Sequence, residues 1–119
     1  MSNEITVSMS VKFTKGSVSE SMNVSAKTFN MAGTDYIKGT QAVGTSEEAL
    51  GKGNITDPGW CLITNTDSTN VVHVRAASGA ANTIELKALE SALFRHSGSA
   101  PYVIAITAEC AIEYLIIED

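Results

Sequence analysis

Nowhere in the 119 residues do lysines or arginines cluster. Eight bases are scattered among thirteen acids, for a net charge of −5. No basic strip exists to neutralise successive phosphates, so neither a nucleic acid nor an anionic membrane is expected as a partner. No stretch of about 18 apolar residues is present either, which excludes a membrane-spanning helix. The N-terminal MSNEITVSMSVKF alternates polar and apolar residues where a signal peptide would need a continuous apolar block. The expectation is a soluble, unexported chain that begins directly with structure.

The residues of common catalytic chemistry are equally sparse. Cys61 and Cys110 lie far apart without a CxxC spacing, which excludes a zinc ribbon or a local redox pair and favours two buried, reduced thiols. His73 and His96 lack an HxH or HxxxH partner, so no two imidazoles are set to share a metal. GxSxG, Walker and GxGxxG motifs are missing, and GKGN at 51–54 lacks the strand-to-helix context of a phosphate loop. Glu47 and Glu48 are adjacent and point apart, while Glu109, Glu113, Glu118 and Asp119 read as a solvated face rather than a carboxylate pair across a cleft. NTDSTN (65–70) has alternating oxygen ligands, but Asn70 stands where a calcium loop needs glycine and Ala76 where it needs glutamate; a hairpin turn closed by its own Asx and hydroxyl side chains is expected. No catalytic residue, metal ligand or cofactor site is assigned, and the chain is not read as an enzyme.

What the sequence has in quantity is period-two patterning. Ile5, Val7, Met9, Val11 and Phe13 alternate with polar residues, TKGS makes a turn, and Val18, Met22, Val24 and Ala26 continue the pattern, which predicts a β-hairpin over 4–28 with one buried face. YIKGTQAVG (36–44) is strand-compatible but broken by glycines. TSEEAL (45–50) has a capping pattern that GKGN cuts after one turn, giving a short helical turn or loop. DPG (57–59) predicts a tight turn in which glycine accepts a positive φ. Further strands are predicted at 60–64, 71–76, 83–88, 91–96, 102–107 and 110–117.

Eight or nine short strands with no credible helix predict an all-β fold: one antiparallel β-sandwich domain over 1–119, jelly-roll-like, of about 8 strands. Trp60, the only tryptophan, begins a strand and is expected to close the core or a subunit interface, with a sugar-stacking platform as the other use of an aromatic there. Tyr36 and Tyr102 join it as candidates for an interface or ligand platform.

The succession GTSEEALGKGNITDPGWCLITNTDSTNVVHVRAA and then IELKALESALFRHSGSAPYVIAITAECAIEYLIIED resembles small virion structural proteins of tailed bacteriophages. The matching pieces are Thr45 to Leu50, Pro58 and Gly59, Leu62 to Asn65, Leu86 and Lys87, and Glu113 to Asp119. The likeness covers about residues 40–119 and leaves the 4–28 hairpin outside it. It implies a non-enzymatic assembly protein of the virion, a capsid decoration or cement protein first and a tail or fibre receptor-binding module second. Its implied partners are the major capsid protein or other virion proteins and further copies of itself, as a homo-oligomer and in particular a trimer.

Overall fold

The computed structural model describes residues 3–119 and is all-β, with antiparallel pairing throughout. Its strands are β1 (Ile5–Lys15), β2 (Val18–Phe29), β3 (Tyr36–Val43), β4 (Glu48–Ala49), β5 (Pro58–Asn65), β6 (Val72–Arg75), β7 (Asn82–Leu86), β8 (Ser91–Arg95), β9 (Tyr102–Ala105) and β10 (Cys110–Glu118). The chain divides into two compact units, Met1–Ala32 and Gly33–Asp119. The sequence treats the hairpin as part of one sandwich domain; in the structure it shares no ladder with the other strands and stands as a two-stranded sheet of its own.

In the first unit, β1 and β2 pair from Ile5↔Phe29 to Lys15↔Val18. The two-residue connection places Gly16 at φ +59°, a left-handed position that glycine occupies without a Cβ clash. Between Val7 and Met9 the register slips by one residue on β2, where Ala26 takes φ +49° and donates its N–H to Ser8 Oγ at 3.0 Å. That bulge keeps the apolar residues on one face on both sides of the slip. Ile5 and Val7 are buried, yet Val11, Phe13, Val18 and Met22 on the same face are exposed. The expectation of a buried face thus fails over the outer half of the hairpin: both strands carry the alternation, but two strands form a single layer.

The second unit is a jelly roll. β3 pairs with β10, β4 with β9, β5 with β8 and β6 with β7, which is a long hairpin folded over with its closed end between β6 and β7. Two further ladders, β10 with β5 and β6 with β9, join these pairs into sheets ordered β3-β10-β5-β8 and β4-β9-β6-β7. Every connection except β6 to β7 therefore passes from one sheet to the other. NTDSTN is one of these crossings, from β5 to β6, and not the hairpin turn its composition suggests.

Inward residues from both sheets make one core. Val43, Cys61, Ile63, Ile112, Tyr114 and Ile116 come from the first sheet, and Val72, Val74, Leu86, Val103 and Ala105 from the second. Each large aliphatic side chain so buried contributes about 1.5–3 kcal/mol of transfer free energy. Asn65 is the one buried polar residue among those described. Its Nδ2 donates to the carbonyls of Asn70 at 2.9 Å and Leu86 at 3.0 Å, while its Oδ1 accepts from Asp67 N–H at 3.0 Å.

Two local expectations are corrected. Residues 45–50 contain no helical turn: Glu48 and Ala49 pair with Val103 and Tyr102, and Leu50 N–H donates to the Pro101 carbonyl at 2.9 Å. The Glu48 carboxylate accepts from Gln41 Nε2 and Gly44 N–H instead of capping a helix. Pro58 and Gly59 are not a turn but the buried start of β5, with the bend one step earlier at Thr56 and Asp57. Proline fits the first residue of a strand. Gly59 is favoured by proximity rather than by its φ, since a Cβ there would lie a tight 3.1 Å from Asp119 Cβ and 3.2 Å from the Ile117 carbonyl.

Candidate functional site

The two sheets of the jelly roll present different outer faces. On β4-β9-β6-β7 the outward face is mixed: Ala49, Tyr102 and Ile104 lie beside a group of polar side chains bonded to one another. Arg75 donates to Asn82 Oδ1 at 2.6 Å and to Glu47 Oε1 at 2.8 Å, and Glu47 also accepts from Ser78 Oγ and Gly79 N–H at 2.8 Å. The Gly79 N–H, the Arg75 guanidinium and the Ser78 hydroxyl together hold the Glu47 carboxyl below its ordinary range. His73 faces Glu85 at 3.4 Å. His73 Nδ1 is left without a hydrogen-bond partner.

The outer face of β3-β10-β5-β8 is different. Registration puts Lys38, Leu115, Leu62 and Leu93 in one row across the four strands. Beside it runs the row Thr40, Glu113, Thr64 and Ser91, in which the Thr64 and Ser91 hydroxyls are 2.8 Å apart. On the other side Ile117 stands opposite Tyr36, and Trp60 opposite Arg95. The three leucines form a continuous apolar stripe on a surface turned away from the core, with Leu62 39% exposed. A shallow depression of about 520 Å³ lies over this region, lined by Lys38, Thr40, Leu62, Thr64, Glu113 and Leu115. Its shape suits flat contact with another surface, bounded by one charge of each sign.

Of the aromatic residues singled out in the sequence, Tyr36 and Trp60 are brought to this face; Tyr36 is 68% exposed and Trp60 half-buried, outside the core cluster. Tyr102 is not: it lies on β9 in the other sheet, opposite Arg75 and Ala49. Leu62, Leu93, Leu115 and Ile117 were missed by motif reasoning. Their signal is the loss of alternation in WCLIT, ALF and LII, where consecutive residues are apolar on both sides of a strand, as in strands covered on both faces.

The remaining candidates for chemistry are scattered. Cys61 and Cys110 are free and buried. Burial raises the Cys61 thiol to about 11, and burial together with the Asp67 charge raises Cys110, both shifts away from a reactive thiolate. His73 lies on β6, and His96 just beyond β8, where burial lowers its pKa. Asp67 Oδ2 accepts the N–H groups of Thr69 and Asn70, so this carboxylate binds its own loop's backbone, while the Thr66 hydroxyl donates to the Ala111 carbonyl at 2.7 Å. Among the described residues no three His, Cys, Asp or Glu side chains converge as a metal site would require.

Comparison of the chain with models of known protein families, with curated proteins and with solved structures finds no match.

Proposed function

We propose that the protein is a non-enzymatic structural protein of a phage virion that works by surface contact, as a capsid decoration protein binding an assembled shell. The observation that carries this reading is the in-register row of Leu62, Leu93 and Leu115 on the outward face of one sheet. An apolar stripe of this kind, rimmed by Lys38, Glu113 and hydroxyl side chains, has the composition of a protein interface: an apolar centre within a polar margin. The likeness of residues 40–119 to small virion proteins supplies the setting. Binding across neighbouring capsid subunits raises the cost of separating them, because the bound state is stabilised and the dissociated state is not.

The test is addition of purified protein to expanded capsids that lack it. Binding, together with a higher temperature of capsid disruption, is the expected result; no binding and unchanged heat resistance would remove the decoration reading. A second reading, a receptor-binding module on a tail or fibre, is favoured by Tyr36 and Trp60 sharing the same face. It predicts glycan-array binding that Trp60→Ala abolishes.

A further inference from the structure

The hairpin is sharply two-faced. Met9, Val11 and Phe13 share one side with Val24, Met22 and Val18, with Glu20 and Lys15 at its turn end, whereas Ser10, Lys12 and Thr14 share the other with Asn23, Ser21 and Ser19. The polar side bonds across itself, Ser10 Oγ to Asn23 Oδ1 at 2.5 Å and Thr14 to Ser19 at 3.2 Å. The apolar side is bare in its outer half: Val11 is 67% exposed, Phe13 50% and Met22 72%. Two-stranded ribbons are marginal in water, and contiguous apolar faces of this kind mark contact surfaces.

Charge and chemistry identify the occupant. Residues 1–32 carry three lysines against two glutamates, net +1; residues 33–119 carry five bases against eleven acids, net −6. Two hairpins facing each other would bring together like charge, whereas a hairpin facing a jelly-roll body brings together opposite charge. Locally, Lys15 and Glu20 stand on the hairpin's apolar face, opposite Val18 and Phe13, and Lys38 and Glu113 border the leucine row, one charge of each sign on each surface.

We propose that the apolar face of the β1–β2 hairpin of one copy lies on the outer face of the β3-β10-β5-β8 sheet of a second copy, over Leu62, Leu93 and Leu115. Such a contact is head-to-tail, so it closes into a ring where the rotation permits and would unite copies before or during attachment. The inference takes its setting from the assembly reading above, but it concerns the purified chain and is measured without any shell.

The experiment uses full-length Met22→Cys and Leu93→Cys proteins, oxidised singly and as a mixture and run on a non-reducing gel. Burial of the native Cys61 and Cys110 keeps them out of the reaction. A two-chain product at least fivefold more abundant in the mixture than in either protein alone is expected. Met22→Cys linking only to itself, a Met22→Cys/Leu93→Cys chain closing the bond within a monomer, or no linked product would each overturn the proposal. In parallel, light scattering should find a multimer that Val11→Ser/Met22→Ser converts to monomer, with the circular dichroism of the jelly roll retained. A wild-type monomer at every concentration, or a multimer that survives both serines, overturns it too. Capsid binding by Val11→Ser/Met22→Ser, whose leucine row is intact, reports on the decoration reading alone.

Discussion

Asn65 at the end of β5 donates its side-chain amide to the backbone carbonyl of Leu86 at the end of β7 across 3.0 Å, fully inside the protein. The two residues belong to different sheets, so this bond fastens one layer of the jelly roll to the other. Asn65→Ala leaves the Leu86 and Lys87 carbonyls and the Asp67 N–H without this partner. The expected loss is about 1–3 kcal/mol, measured by urea unfolding. Asn65→Asp should lose at least as much at neutral pH, because a carboxylate cannot donate to those carbonyls.

Glu118 accepts backbone N–H groups from Thr56 at 3.1 Å, Thr34 at 3.1 Å and Asp35 at 3.3 Å. These bonds hold its carboxyl below the ordinary value of 4.5. Its contribution is therefore complete above about 4.5 and is lost as the pH falls through the lower folded-state value. Melting temperature against pH should show wild type above Glu118→Gln at pH 7, with the two curves converging in acid. Gly33→Ala should have a similar effect, because a Cβ at residue 33 would collide with the Glu118 side chain; the double variant should then be little worse than either single one.

Leu62→Lys places a charge in the outward leucine row without touching the core. Stability should change by no more than about 0.5 kcal/mol, as for ordinary surface substitutions. Binding to capsids should weaken tenfold or more, read from the protein that co-sediments with particles, and the multimer should lose mass by light scattering because the same row receives the hairpin of a second copy. Unimpaired binding would move the contact surface elsewhere.

Cys61, with its thiol raised to about 11, and Cys110, raised in the same direction, are stored as neutral thiols. Alkylation at pH 8 should label neither in the native protein within the time that labels both after unfolding. Rapid labelling of either in the folded state would contradict the burial described here.

Leu89 holds φ +66° on an exposed turn, a left-handed conformation that costs a side chain with a Cβ about 1–2 kcal/mol. Asparagine tolerates that region better. Leu89→Asn is expected to raise stability by up to about 1 kcal/mol, seen as a higher urea midpoint at constant slope.

The strands were legible because alternation is a local property. β1 and β2 follow from residues apolar at every second position, β5 and β10 from short runs apolar on both sides, and eight short strands without helices leave a sandwich or barrel as the architecture. β4 was not legible: two residues suffice to join a ladder when Val103 and Tyr102 already stand opposite them, and no periodicity is contained in two residues. NTDSTN was read as a hairpin turn because its Asx and hydroxyl residues close tight turns, and Asp67 does bond its own loop's backbone. Whether such a turn joins neighbours in one sheet or crosses to another depends on Asn65 reaching Leu86, a contact across 21 positions.

The candidate surface divides in the same way. Tyr36 and Trp60 could be chosen by residue type, but their shared face with Leu62, Leu93 and Leu115, and the separation of Tyr102 from them, follow from strand order. By itself the sequence determined most of the strands, the turn at Gly16 and the two-sided apolar character of β5 and β10, because each is set by steric and hydrophobic preferences acting over a few residues. Only the tertiary structure decided which strands pair, which outer face gathers the leucines, and that the outer half of the hairpin is left uncovered. Those outcomes depend on the simultaneous burial of side chains contributed from distant parts of the chain.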